Sequence, residues 1–180
     1  FNNSYFADEN QTFAAEVYAR DADTGATTFS VGGTNGSDFN IASRYDASIN
    51  VTIGTLSFIT APDFESKTSY EVTINVSDED FSRSADTTIS IVNLNDNSPV
   101  FTSNNTFTAD ENQTSIGTVS ASDADGDTIT FQVISGSNVD IDSSSGVLTF
   151  ASAPDYETKS SYSATVTVSD GTSSATQDIT

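Results

Sequence analysis

The chain repeats itself, and that repetition limits it to two copies of one small fold. Ala7-Asp8-Glu9-Asn10-Gln11-Thr12 returns as Ala109-Asp110-Glu111-Asn112-Gln113-Thr114, and Asp21-Ala22-Asp23 as Asp123-Ala124-Asp125, both at an offset of 102. Further along, Ala61-Pro62-Asp63-Phe64-Glu65 returns as Ala153-Pro154-Asp155-Tyr156-Glu157, and Val76-Ser77-Asp78 as Val168-Ser169-Asp170, now at an offset of 92. The first copy therefore carries ten more residues than the second, somewhere between Gly32 and Ile53. A long period of this kind marks tandem units. Between the copies, Asn93-Leu94-Asn95-Asp96-Asn97-Ser98-Pro99 is polar, turn-prone and closed by a proline that cannot continue a central strand. The organisation predicted is a repeat over 1–92, a linker over 93–99 and a second repeat over 100–180. The second stops in what reads as its last strand, as a piece of a longer chain would.

Within each copy, apolar residues alternate with polar ones over short runs. Tyr70, Val72, Ile74 and Val76 share one face against Glu71, Thr73, Asn75 and Ser77, and Tyr162, Ala164, Val166 and Val168 repeat that face. Period two, β-branched residues and Gly, Asn and Asp turns, without helical periodicity, predict an all-β chain. The architecture expected is two tandem seven-stranded Greek-key immunoglobulin-like β-sandwiches. Domains this small are marginally stable and call for an extra stabiliser. The absence of Cys rules out disulfides, and the absence of Cys and His removes the usual zinc ligands, while 26 Asp and Glu favour a hard, oxygen-liganded cation.

Charge excludes other classes. A formal charge of −21 with five Lys and Arg repels nucleic-acid phosphates and anionic membranes. No apolar run reaches the 18 or so residues of a membrane helix, so no membrane insertion is expected in this segment. Catalysis would have to come from a carboxylate pair, and the paired acids are better accounted for as metal ligands, so no enzyme is expected.

Loop parity places those acids. In a seven-stranded sandwich, alternate loops share an end. Glu9, before the second strand, and Asp63 with Glu65, before the sixth, fall at the end of the first repeat where the chain leaves. Asp123, Asp125 and Asp170 fall at the end of the second repeat where it enters. With Asp96 of the linker, seven carboxylates converge on one connector that also offers Asn93 and Asn95. Two carboxylates ~4 Å apart repel by ~4 kcal/mol at an effective dielectric of 20, so such a group needs counter-ions. Ca²⁺, which takes 6–8 oxygens in flexible geometry, suits this surplus better than Mg²⁺.

These motifs, in this order, resemble the cadherin-repeat family over essentially the whole chain. ADEN resembles its acidic-Glu-Asn motif, DAD its Asp-x-Asp motif, PDFE and PDYE its Asp-x-Glu motif, and NLNDNSPVF its linker. The resemblance implies about three Ca²⁺ per junction. Glu9, Asp63, Glu65, Asn93 and Asp96 would surround two of them. Asn95, Asp123, Asp125, Asp170 and the Asn97 carbonyl would hold the third, with Asp125 and the Leu94 carbonyl helping at the middle ion. Where the family usually has Asp this chain has Asn93, which weakens the middle site by one charge. By the same correspondence Asp21, Asp23 and Asp78, and separately Glu111, Asp155 and Glu157, are half-sites whose partners lie in neighbouring repeats.

The function implied is a calcium-binding, calcium-rigidified segment of an extracellular cell-adhesion protein at the cell surface. Its partners would be calcium ions, neighbouring repeats and another surface protein or a glycan. The family's strand-exchange adhesion uses a Trp, which this chain lacks. Asp123-Ala124-Asp125-Gly126-Asp127 is similar to turns in cadherin-like repeats of large bacterial adhesins. A different class, a calcium-dependent carbohydrate-binding module, would need exposed aromatic residues, for which Tyr18 and Tyr45 are the candidates.

Overall fold

The computed structural model describes residues 3–21, 27–136 and 138–180. Two units emerge, Phe1–Leu94 and Asn95–Thr180. In the first unit the alternating runs become β1 (Ser4–Asp8), β2 (Phe13–Ala19), β3 (Thr28–Gly32), β4 (Phe39–Asp46), β5 (Val51–Phe58), β6 (Ser69–Ser77) and β7 (Ser82–Val92). They form two sheets, β1-β7-β6-β3 and β2-β5-β4, with β1 parallel to β7 and every other pair antiparallel. The chain crosses between the sheets at β1–β2, β2–β3, β3–β4 and β5–β6 and turns back within a sheet at the β4–β5 and β6–β7 hairpins, as in a Greek-key sandwich.

Period-two alternation sends one set of side chains between the sheets. Leu56, Ile74 and Ile89 are fully buried there, with Val17, Val72, Phe39 and Phe58 around them. Burying each large aliphatic chain is worth about 1.5–3 kcal/mol, so these few residues supply most of what opposes chain entropy. Phe39, Phe58 and Tyr70 form an aromatic cluster with centroids 4.4–5.6 Å apart. Lys67 lies 3.9 Å from the centre of the Tyr70 ring, and its counterpart Lys159 lies 4.3 Å from that of Tyr162. Two of the chain's five cations therefore serve the same cation–π contact in both repeats.

The second unit is built from shorter pieces: β8 (Val100–Phe101), β9 (Ser115–Thr118), β10 (Ala121–Ser122), β11 (Thr130–Ser135), β12 (Val139–Ile141), β13 (Val147–Phe150), β14 (Ala164–Ser169) and β15 (Ser174–Ile179). The sheets are β12-β13-β9, β11-β14-β15 and the pair β10-β8. By the repeat offsets, β9 and β10 are two pieces of the strand that runs unbroken as β2, β11 to β15 answer to β3 to β7, and β8 has no counterpart among the strands of the first unit. Leu148, Val166 and Val168 are its fully buried centre.

Register locates the ten extra residues. Phe39 pairs with Phe58 and its counterpart Val139 with Phe150, so the β4–β5 hairpin holds eight of them and the segment before Phe39 two. They lengthen a hairpin arm more than the Gly-rich stretch around Gly33. The asparagines of the repeated motif also acquire a backbone reason. Asn10 and Asn112 both sit at φ 62°, in the left-handed region that Asn tolerates.

The β12–β13 turn is tied by one side chain. Asp142 Oδ1 accepts the N–H groups of Ser144 (3.1 Å) and Ser145 (2.8 Å) and both of their hydroxyls (2.8 Å each). These bonds, led by those from Ser145, hold its carboxyl far below the usual carboxylate range. A folded pKa that is depressed adds stability above the unfolded value of about 3.9, and that stability is lost as pH falls through the folded value. Asp142→Ala should therefore lower the second unit's melting temperature at pH 7. The gap to the parent protein should narrow only in strongly acidic solution, which thermal melts across pH would show.

Candidate metal centre

Each unit brings its own acids together at the end that carries its part of the linker. In the first unit Glu9 follows directly on β1 and is only 2% exposed. Its Oε2 accepts the N–H of Phe64 (2.7 Å) and its Oε1 the N–H of Leu94 (2.8 Å). One carboxylate thus ties the β1–β2 turn to the β5–β6 turn and to the start of the linker. Each oxygen retains a lone pair after these bonds.

Asp63 belongs to the β5–β6 turn. Its Oδ2 accepts the Ser66 hydroxyl (2.9 Å) and its Oδ1 the Ser66 N–H (3.3 Å), which hold its carboxyl below the usual range. Glu65, exposed on the same turn, brings a carboxylate oxygen within 4.8 Å of one from Glu9. Asn93 is exposed at the chain exit, next to Leu94. Of the residues expected on this side, Glu9, Asp63, Glu65 and Asn93 lie in the first unit and Asp96 in the second.

In the second unit, register gathers the other set. Val100 of β8 pairs with Ser122 of β10, which sets the linker beside the 123–127 loop, and Thr130 pairs with Ser169, which sets that loop beside Asp170. Asp125 Oδ2 accepts the N–H groups of Asp96 (3.0 Å) and Asn97 (2.9 Å), and its Oδ1 accepts the Asn97 side-chain amide (2.7 Å). Asp170 Oδ1 accepts the N–H groups of Thr172 and Ser173, both at 2.6 Å.

What remains is chemically pointed. Asn95 Oδ1, Asp123 Oδ2 and Asp170 Oδ2 are buried without any hydrogen-bond partner. A buried acceptor left unpaired costs about 1–3 kcal/mol, more when charged. The three oxygens, on segments that register sets side by side, are of the hard type that Ca²⁺ takes.

The matching half-sites differ. Glu111, Asp155 and Glu157 lie within 4.8 Å of one another, but all three are exposed, and Glu111 accepts one backbone N–H, from Tyr156 (3.0 Å). Asp78 accepts the N–H groups of Asp80 (2.8 Å) and Phe81 (2.7 Å). Asp21 is half-buried and lines the same cleft as Asp78, and Asp23 lies outside the described residues.

Residues 105–180 match the cadherin domain. Mouse Protocadherin Fat 4 is 35% identical over 130 residues, covering 66% of this chain and 3% of that protein, and human Protocadherin Fat 4 is 36% identical over the same span. The extracellular domain of Protocadherin GammaB4 superposes with a TM-score of 0.72 at 26% identity, over 97% of this chain and 30% of that one. The chain belongs to the cadherin-repeat family. Human Protocadherin-24 EC1-2 has the same fold at 19% identity, with a TM-score of 0.74, 99% of this chain and 89% of that one being covered. The chain spans a few hundredths of the length of the curated cadherins it matches.

One acid in this cadherin chain escaped the motif reading. Asp127 brings a carboxylate oxygen within 4.8 Å of those from Asp123 and Asp125. The signal was present in the alternate spacing Asp-x-Asp-x-Asp; in the first repeat Gly25 stands at the matching position.

Proposed function

We propose that this segment is a calcium-stiffened connector of an extracellular cell-adhesion protein, with the ions held between its two repeats. The observation that carries the proposal is the set of partnerless buried oxygens on Asn95, Asp123 and Asp170. On the other side of the linker, Glu9, Asp63, Glu65 and Asn93 supply further side-chain oxygens. Leu94 is bound to Glu9, and Asp96 to Asp125, and only Asn95 separates them in the chain. With consecutive Cα atoms about 3.8 Å apart, the two half-sites are tethered within reach of a shared group of ions. Calcium, when bound, would cancel the repulsion among the seven carboxylates and replace a charged hinge with a crosslink. The Asn97 and Leu94 carbonyls complete the ligand set, and Asp127 is a further carboxylate for the ion nearest the second repeat.

Calorimetric titration tests this. About three ions should bind the parent chain. Asp96→Ala should remove at least one of them, whereas Asp78→Ala should leave the count intact, because Asp78 belongs to a half-site completed elsewhere. Equal losses in both variants would refute the assignment.

The carbohydrate-binding alternative draws less support. Tyr18 and Tyr45 are exposed, at 56% and 50%. However, Tyr18 and Arg44 share Ile53 as their β5 partner, so Tyr45, one residue on, points to the opposite face of the sheet. The two rings cannot form one stacking platform.

A further inference from the structure

Seven Asn-x-Ser/Thr sequences occur in the chain, and an asparagine in that setting is the acceptor for N-linked oligosaccharide in an exported protein. The structure gives most of these asparagines another task. Asn10 and Asn112 sit at φ 62° with their N–H groups on Pro62 C=O (3.0 Å) and Pro154 C=O (2.9 Å), directly after Glu9 and Glu111. An oligosaccharide there would crowd carboxylates assigned to metal. Asn35 is half-buried, and its Oδ1 accepts the Glu71 N–H (2.9 Å). Asn75 is half-buried in β6, between Ser30 of β3 and Ser84 of β7. Asn50, at the β4–β5 turn, is exposed, but its Oδ1 accepts the Tyr45 hydroxyl (2.8 Å), and Thr52, which supplies the hydroxyl of its sequence, is 4% exposed. Asn2 lies outside the described residues.

Asn104 differs from these. It is exposed, Asn105 and Thr106 are exposed after it, and it has no hydrogen-bond partner among the described residues. Its neighbours are tied down on both sides. Ser103 N–H donates to Ser120 C=O (3.2 Å), and Asn105 C=O accepts the Thr180 N–H (2.9 Å). The backbone is therefore held while the side chain stands in solvent, which suits a bulky, hydrated substituent. The sequence also recurs, because Asn104-Asn105-Thr106 stands 102 residues after Asn2-Asn3-Ser4.

We propose that Asn104 is an N-glycosylation site whose donor substrate is a lipid-diphosphate-linked oligosaccharide. In the transfer, Asn104 Nδ2 bonds to the anomeric carbon of the first sugar and the bond from that carbon to the phosphate oxygen breaks. The lipid diphosphate leaves with the electron pair and takes up the proton that the amide loses. The Thr106 hydroxyl, two residues on, completes the acceptor. This site rests on the reading of the chain as extracellular and is independent of calcium.

The test secretes the chain from cultured animal cells and digests it with peptide N-glycosidase in heavy-oxygen water, which leaves a labelled aspartate wherever an asparagine carried a glycan. Peptide mapping should find the label at position 104. Asn104→Gln and Thr106→Ala should each abolish it, whereas Thr106→Ser, which keeps a hydroxyl, should retain it. A secreted parent chain without label at position 104, or label there that survives Thr106→Ala, would overturn the proposal. Calorimetry on the deglycosylated chain keeps the two readings apart, since label at position 104 without calcium binding would overturn only the assignment of the junction.

Discussion

Glu9→Ala is expected to destabilise the first unit severely even in EDTA, before any question of metal arises. The carboxylate is 2% exposed and is the acceptor for the N–H groups of Phe64 and Leu94. Truncation leaves both amides without that acceptor, at roughly 1–3 kcal/mol each, in a domain whose whole stability is of the order of 5–15 kcal/mol. Glu111→Ala removes the same residue of the same motif, but from an exposed site where it accepts a single backbone N–H. Its cost should fall well below 1 kcal/mol. Urea denaturation of both variants in EDTA measures the contrast, and similar losses would show that burial at Glu9 adds nothing. Glu9→Gln should lie between, since the amide keeps one acceptor oxygen and turns a donor toward the other N–H.

This contrast also marks how far the sequence could be read. Loop parity placed Glu9, Asp63 and Glu65 at one end of the first unit and Asp123, Asp125 and Asp170 at one end of the second, and the pairing registers give each unit that arrangement. Parity works because strands alternate direction whatever their lengths. It says nothing of burial, which is why Glu9 and Glu111 were indistinguishable: the motif ADEN is identical, and the difference comes from Leu94, whose amide closes over Glu9 from 85 residues away. Strand continuity was equally out of reach. Residues 106–110 carry the β1 pattern, yet a strand needs a partner as well as a pattern, and they form none. The location of the ten extra residues needed register too, because a hairpin can lengthen at its tip without disturbing the alternation that flags it. Asp127 was missed for a different reason, that motif matching looked for what the two repeats share, and this acid is present in only one.

The largest calcium effect should appear as coupling between the units. Without metal, each sandwich has its own apolar core, so two melting transitions are expected in EDTA. An ion that takes oxygens from both units binds only when both are folded. One site adds RT ln(1 + [L]/Kd), about 2.7 kcal/mol at a hundredfold excess over Kd, and three such sites would add about 8 kcal/mol shared between the units. Millimolar calcium should therefore raise both transitions and draw them into one, and the amides of Asn95 to Ser98 should become strongly protected from exchange. Asp170→Ala, in the second unit alone, supplies the decisive control. If ions bridge the units, this variant lowers the calcium-induced rise of the first unit's transition as well as the second's, although Asp170 belongs to the second unit. Were calcium to raise one transition and leave the other where EDTA left it, the ions would be held within a single repeat. The linker would then be a flexible tether, and the stiffening mechanism would fail while the family assignment stood.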